Sequence, residues 1–205
     1  MSLFEILVRG GWLMIPIALC SVVVVALGVG RYLILRRSVK ELEGFLREWE
    51  DPGSQHDSVR FVKSCEHGPM PVAKMAAVFS ASQISRREAL PTVEAVATGE
   101  LTGLEKGLGA IATLSAVTPM LGFLGTVTGM IRAFMQIQNL GGNVNASVLA
   151  GGIWEALITT AAGLCVGIPA LMIHNYLANQ IHRSAKMLEQ CGELVMRHLG
   201  KTDEA

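Results

Sequence analysis

The chain is 205 residues long and 51% hydrophobic, with a mean hydropathy of +0.44 and only 17% charged residues. A soluble domain of this size carries about 25% charged residues. Basic and acidic side chains balance at 17 each, so bulk charge gives no reason to expect nucleic acid or an acidic substrate as a partner.

Charge is instead missing from long stretches and dense between them. A membrane-spanning helix takes about 20 apolar residues. The first candidate, residues 10–30, reads GGWLMIPIALCSVVVVALGVG and holds no charge. No basic segment precedes it, and its apolar core exceeds the roughly 7–15 residues of a signal-peptide core, so it is expected to be retained.

Residues 36–106 follow as a helical region. In VKELEGFLREWE, Val39, Leu42, Phe45, Leu46 and Trp49 recur at helical spacing. Residues 51–54 (DPGS) read as a turn. Further helices are expected over residues 57–66 and 72–88, and no sheet. Pro91 suits an early helical position, and no strong stop appears before Gly141 and Gly142. The second span, residues 107–131, is therefore expected to be the membrane half of one helix over residues 91–139. The third span, residues 156–173, runs on into an amphipathic helix with Ile181, Leu188, Leu194, Val195 and Leu199.

Lys and Arg crowd residues 31–106 and 183–201, whereas the other side holds only Arg9 and Arg132. The positive-inside rule then puts the N-terminus outside and the C-terminus in the cytoplasm. The expected division is an outside N-terminus with the first span over 1–35 and a cytoplasmic helical region over 36–106. The second span covers 107–138, a periplasmic loop 139–147, the third span 148–177, and a cytoplasmic C-terminal helix 178–205. The fold class is all-α: an integral membrane protein with three transmembrane helices, two of them extended into the cytoplasm, and a helical cytoplasmic loop.

Cys20 and Cys165 fall in spans, and Cys65 and Cys191 on the reducing side, so no disulfide framework is expected. Cys65 and His67 have no second pair to complete a metal site, and His56, His174, His182 and His198 lack ligand spacing. No cofactor, metal or enzymatic motif is expected.

Small and polar residues recur at helical spacing in the second span, at Ser115, Pro119, Gly122, Thr126, Gly129 and Ala133. The third span repeats the pattern at Ala156, Thr160, Gly163, Gly167 and Ala170. Small residues let membrane helices approach closely, and Thr hydroxyls can bond across. Pro119, Gly122, Gly125, Gly129, Gly163, Gly167 and Pro169 are accordingly the candidates for helix packing or pore shaping. An antiparallel hairpin centred near residue 143 would put Thr126 level with Thr160, Arg132 level with Glu155, and Pro119 near Pro169. Glu155 is the one carboxylate in these spans and lies near an end. Acids within a membrane are functional by default. A central titrating group would therefore have to come from a partner chain.

MLGFLGTVTGMIRAF, centred on residues 122–127, resembles the second-span signature of the MotA/TolQ/ExbB proton-channel family. GGIWEALITTAAGLCVGIPAL is similar to the third-span signature, with Glu155, Thr160, Gly163 and Pro169 in register. Met14-Ile15-Pro16-Ile17 with Ser21 resembles its first span. Where that family often has Glu-Arg after the first span, this chain has Gly30-Arg31.

The resemblance implies an ExbB/TolQ-like inner-membrane subunit of biopolymer transport. It would form a homo-pentamer around a single-span ExbD/TolR-like subunit with a membrane Asp, and work with a TonB/TolA-like protein at the outer membrane. It also implies that Thr126 and Thr160 face the partner carboxylate in a proton pathway, to which Glu155 is added as the membrane-embedded acid, with Arg132, level with it in the hairpin, as its charge partner. The alternative from another class is a non-conducting oligomeric scaffold for a single-span partner.

Overall fold

The structure, a computed structural model, describes residues 10–49, 58–82, 86–139 and 146–199. Among them it shows helices and no strand. The helices are α1 (Met14–Trp49), α2 (Ser58–His67), α3 (Met70–Ser82), α4 (Arg86–Glu105), α5 (Leu108–Asn139) and α6 (Ala146–Leu199). Three helical segments are long and apolar enough to cross a membrane: Met14–Trp49, Pro91–Asn139 and Ala150–Arg197. The chain is a multi-pass all-α membrane protein.

Several boundaries differ from the sequence expectation. The first span is extended too: α1 is one helix of 36 residues, because no Pro or turn cluster interrupts the chain between Gly30 and Trp49. The expected turn at residues 51–54 lies outside the described residues, as does most of the loop at 139–147. Pro91 does not start its helix; it sits inside α4, which begins at Arg86. At that position it forfeits only one hydrogen bond near the start of the helix, a milder defect than a mid-helix proline.

The helical segment expected over residues 91–139 is present, interrupted by two turn residues at Lys106 and Gly107. Gly107 has φ +81°, a left-handed conformation that L side chains rarely adopt. Its carbonyl accepts the Ile111 N–H at 3.2 Å, so the same residue opens α5. A 32-residue α5 is about 48 Å long at 1.5 Å per residue, beyond a hydrocarbon core of about 30 Å.

The chain divides into two compact units. The first comprises residues up to Val29 together with Gly107–Asn175. Here α5 and α6 pack antiparallel, and α1 lies on α6, with Gly28 against Ile173. The outward faces are apolar, as Met120, Phe123, Leu157 and Met172 illustrate at 60–69% exposure. Such surface belongs against lipid or another membrane helix.

The second unit comprises Gly30–Lys106 and Tyr176 onward. Its core joins Val39, Leu42, Phe45, Leu46 and Trp49 of α1 to Phe61 and Cys65 of α2 and to Val72 and Met75 of α3. Val93 of α4 and Leu188, Cys191 and Val195 of α6 complete it. Trp49 meets Phe61 edge-on with ring centroids 4.7 Å apart, a preferred aromatic geometry. The rim is polar: Arg183 pairs with Glu43 and Lys74 with Glu100.

Candidate functional site

The α5–α6 contact is built from glycine outward. A methyl at Gly122 would lie 2.9 Å from the Thr159 carbonyl oxygen and 3.2 Å from Gly163 Cα. One at Gly163 would lie 2.8 Å from the Thr118 carbonyl oxygen. Gly129 stands against Ala156, Gly152 against Ala133, and Gly167 against the Pro119 ring. Backbone therefore touches backbone over several turns, which only residues without side chains permit. The pairs Gly122–Gly163 and Gly129–Ala156 both have numbers averaging 142.5, half a residue from the centre assumed in the sequence reading.

The buried line of α5 is Ile111, Ser115, Thr118, Gly122, Gly125, Gly129 and Ala133. This corrects the expected stripe. Pro119 and Thr126 stand at its half-buried edge, and Thr118 and Gly125 occupy its centre. On α6, Thr159 is buried at 2% exposure and Thr160 is half-buried beside it. Pro169 is on the exposed side of α6, not in a shared layer with Pro119; Pro119 meets Gly167 instead. An unbroken repeat of three and four residues through 115, 118, 122, 125 and 129 would have found Thr118.

Four threonine hydroxyls line this contact, and each donates its proton to a carbonyl. Thr118 bonds the Leu114 oxygen at 2.6 Å and Thr159 the Ala156 oxygen at 2.8 Å, both within their own helices. Thr126 bonds the Phe123 oxygen at 2.6 Å. Thr160 alone reaches across, to the Gly122 oxygen at 2.9 Å. Thr126 and Thr160 thus donate to consecutive carbonyls of one turn of α5. With its proton committed, each hydroxyl oxygen keeps acceptor capacity. Such a pair can receive a hydrogen bond from a protonated acid or water, but it does not titrate near neutral pH.

Towards the start of α6, Arg132 Nη1 donates to Glu155 Oε1 at 3.1 Å. The two side chains are 51% and 31% exposed. Either charge alone within the membrane would cost about 2.5–3.5 kcal/mol at depth, and pairing offsets part of that. The sequence reading had no place for the third element here. Gly11, with φ +70°, lies beside this pair: a Cβ placed on it would overlap Glu155 Oε1 and come within 3.8 Å of Arg132 Nη1.

Elsewhere, Cys65 is buried among apolar side chains, and burial, with the neighbouring Glu66 charge, pushes its thiol up to about 12. His67 Nδ1 bonds the Lys63 carbonyl one helical turn back at 2.9 Å.

The profile of the MotA/TolQ/ExbB proton channel family matches residues 71–190, from α3 to most of α6. A putative biopolymer transport protein, ExbB-like 1, from Synechocystis is 32% identical over 187 residues, covering 86% of this chain and 71% of that protein. Biopolymer transport protein ExbB of Neisseria meningitidis is 32% identical over 187 residues, covering 84% and 81% respectively. ExbB of Salmonella typhimurium reaches 43% identity over 76 residues, 37% of this chain and 31% of its own. With the profile spanning the glycine-built hairpin and its threonines, the chain belongs to the MotA/TolQ/ExbB proton channel family.

Proposed function

We propose that this chain is the channel-forming subunit of an inner-membrane motor that couples the proton motive force to biopolymer transport or other work at the outer membrane. Its partner in this reading is a single-span ExbD/TolR-like protein whose membrane Asp carries the proton, surrounded by a homo-pentamer of this chain. A TonB/TolA-like protein would receive the work. The N-terminus is periplasmic and the C-terminus cytoplasmic.

The observation that carries the reading is the hydroxyls of Thr126 and Thr160, with protons committed to the Phe123 and Gly122 carbonyls respectively. A partner carboxyl needs a hydrogen-bond acceptor when protonated, and these oxygens supply one without competing for the proton. Glu155, paired with Arg132, is assigned to the mouth of the same path. The remaining small residues shape the wall: Pro119, Gly122, Gly125, Gly129, Gly163 and Gly167 on the packed face, with Pro169 on the outer face of α6.

The test is proton uptake by vesicles containing this chain and its neighbouring single-span protein. Thr126→Val with Thr160→Val should abolish uptake while the oligomer remains assembled, and Thr→Ser should retain most of it. Normal uptake by the double Val variant would remove the threonines from the path. No uptake by the wild-type complex, with a stable partner interaction, would favour the scaffold reading, for which the hydroxyl protons already committed within the chain and the absence of a mid-span carboxylate are the supporting observations.

A further inference from the structure

The turn that leads into α1 approaches the Arg132–Glu155 pair at a point where a side chain would have to displace Glu155. Gly11 accepts the Met14 N–H at 3.2 Å, and Trp12 accepts that of Ile15 at 3.2 Å. Leu13 and Met14, 3% and 5% exposed, fix this turn on the rest of the unit. Gly10 is also buried, against Met14 and Ile158.

The backbone conformation favours glycine at residue 11, and a side chain there would also push Glu155 aside. The Gly11 φ of +70° disfavours any residue with a Cβ. A Cβ placed there would also overlap Glu155 Oε1, with Glu155 Cδ at 3.3 Å and Arg132 Nη1 at 3.8 Å. Oε1 is the oxygen that accepts from Arg132. A methyl at residue 11 would displace the atom that makes the ion pair. Without a Cβ at residue 11 the carboxylate keeps its place on Arg132, its partner in the ion pair.

We infer that Gly11 is a positioning residue for Glu155: the first segment's turn acts as a backbone stop that holds the carboxylate on Arg132. The functional weight of this inference rests on the assignment of Glu155 to the proton path. Its geometric content does not.

The experiment is a mutant cycle on the purified protein in detergent, read by thermal unfolding and by carbodiimide labelling of Glu155 in mass spectra. Gly11→Ala should lower the melting temperature by several degrees with Glu155 present, and the part of that loss beyond backbone strain should vanish in a Glu155→Ala background. An equal loss in both backgrounds would mean that backbone strain alone explains the glycine, overturning the inference. Gly11→Asn, which tolerates a left-handed conformation but carries a Cβ, should behave like Gly11→Ala; wild-type behaviour would also overturn it. Labelling of Glu155 in Gly11→Ala should rise several-fold, as in Arg132→Gln, and unchanged labelling would count against displacement of the carboxylate. Should Gly11→Ala give no folded protein, recovery of yield on adding Glu155→Ala reads the same coupling, and no recovery refutes it. These readouts need neither partner nor proton flow. A fully active Glu155→Gln complex would therefore remove Glu155 from the path while leaving the positioning result intact, and the reverse outcome is equally visible.

Discussion

Thr160 on α6 donates its hydroxyl proton to the Gly122 carbonyl on α5 at 2.9 Å, across a contact where a methyl on Gly122 would lie 3.1 Å from Thr160 Cα. The hydrogen bond and the missing side chain depend on each other. A wider helix separation would break the bond, and interhelical bonds of this kind are worth only about 0.6–2 kcal/mol. Packing must therefore hold the distance.

Gly122→Ala and Gly163→Ala should each destabilise the helix pair by about 1–3 kcal/mol, the usual cost of overpacking. The atoms they meet are backbone, at 2.8–3.2 Å, and cannot swing aside. Gly109→Ala, which meets nothing within 4 Å, should be neutral or slightly stabilising through helix propensity. Thermal unfolding of the three variants checks the order, and equal stabilities would contradict close packing.

Glu155→Gln should impair assembly or activity, because it leaves Arg132 without its counter-charge. Adding Arg132→Gln should restore part of the loss. Proton-driven activity of the single and double variants measures the coupling, and strictly additive losses would show that the pair contributes nothing jointly.

The proposed orientation predicts that a cysteine introduced at Asn143 reacts with an impermeant thiol reagent in spheroplasts, and that one at Ser54 does not. The reverse pattern would invert the topology derived from the Lys and Arg distribution.

Cys65 should be nearly inert in the native protein. Burial first, and the Glu66 charge second, raise its thiol from 9.0 to about 12, so the native state holds its proton more tightly than the unfolded chain. That contribution to stability is complete below about pH 9 and disappears as pH rises towards 12. At pH 8, iodoacetamide should modify Cys65 at least about a hundredfold more slowly than in the unfolded protein, since the thiolate is the reactive form. Comparable rates would show that the site opens readily.

Uncharged runs announced the spans, since nothing else in a short chain can hide so much apolar surface. The hairpin register was legible because Gly and Ala recur on facing sides of two segments that run in opposite directions. The α1 core positions from Val39 to Trp49 were legible from helical spacing, and all five are buried. What escaped depends on backbone conformation. Gly107 turns the chain between α4 and α5, yet glycines also abound inside these membrane helices, and sequence alone does not say which one breaks. Thr118 and Thr159 escaped because adjacent choices, Pro119 and Thr160, also fit a helical stripe. Gly11 escaped because its role lies in where Glu155 sits, far along the chain.

The glycine-to-backbone contact of α5 and α6 has a mechanical consequence. Two helices meshed so closely, from Ala133 and Gly152 at one end to Pro119 and Gly167 at the other, can neither slide nor roll past one another without collision. They behave as a single stave. In the proposed assembly, movement during a work cycle would then fall to the seams between whole staves or to the partner they enclose, with each stave a fixed template carrying Thr126 and Thr160.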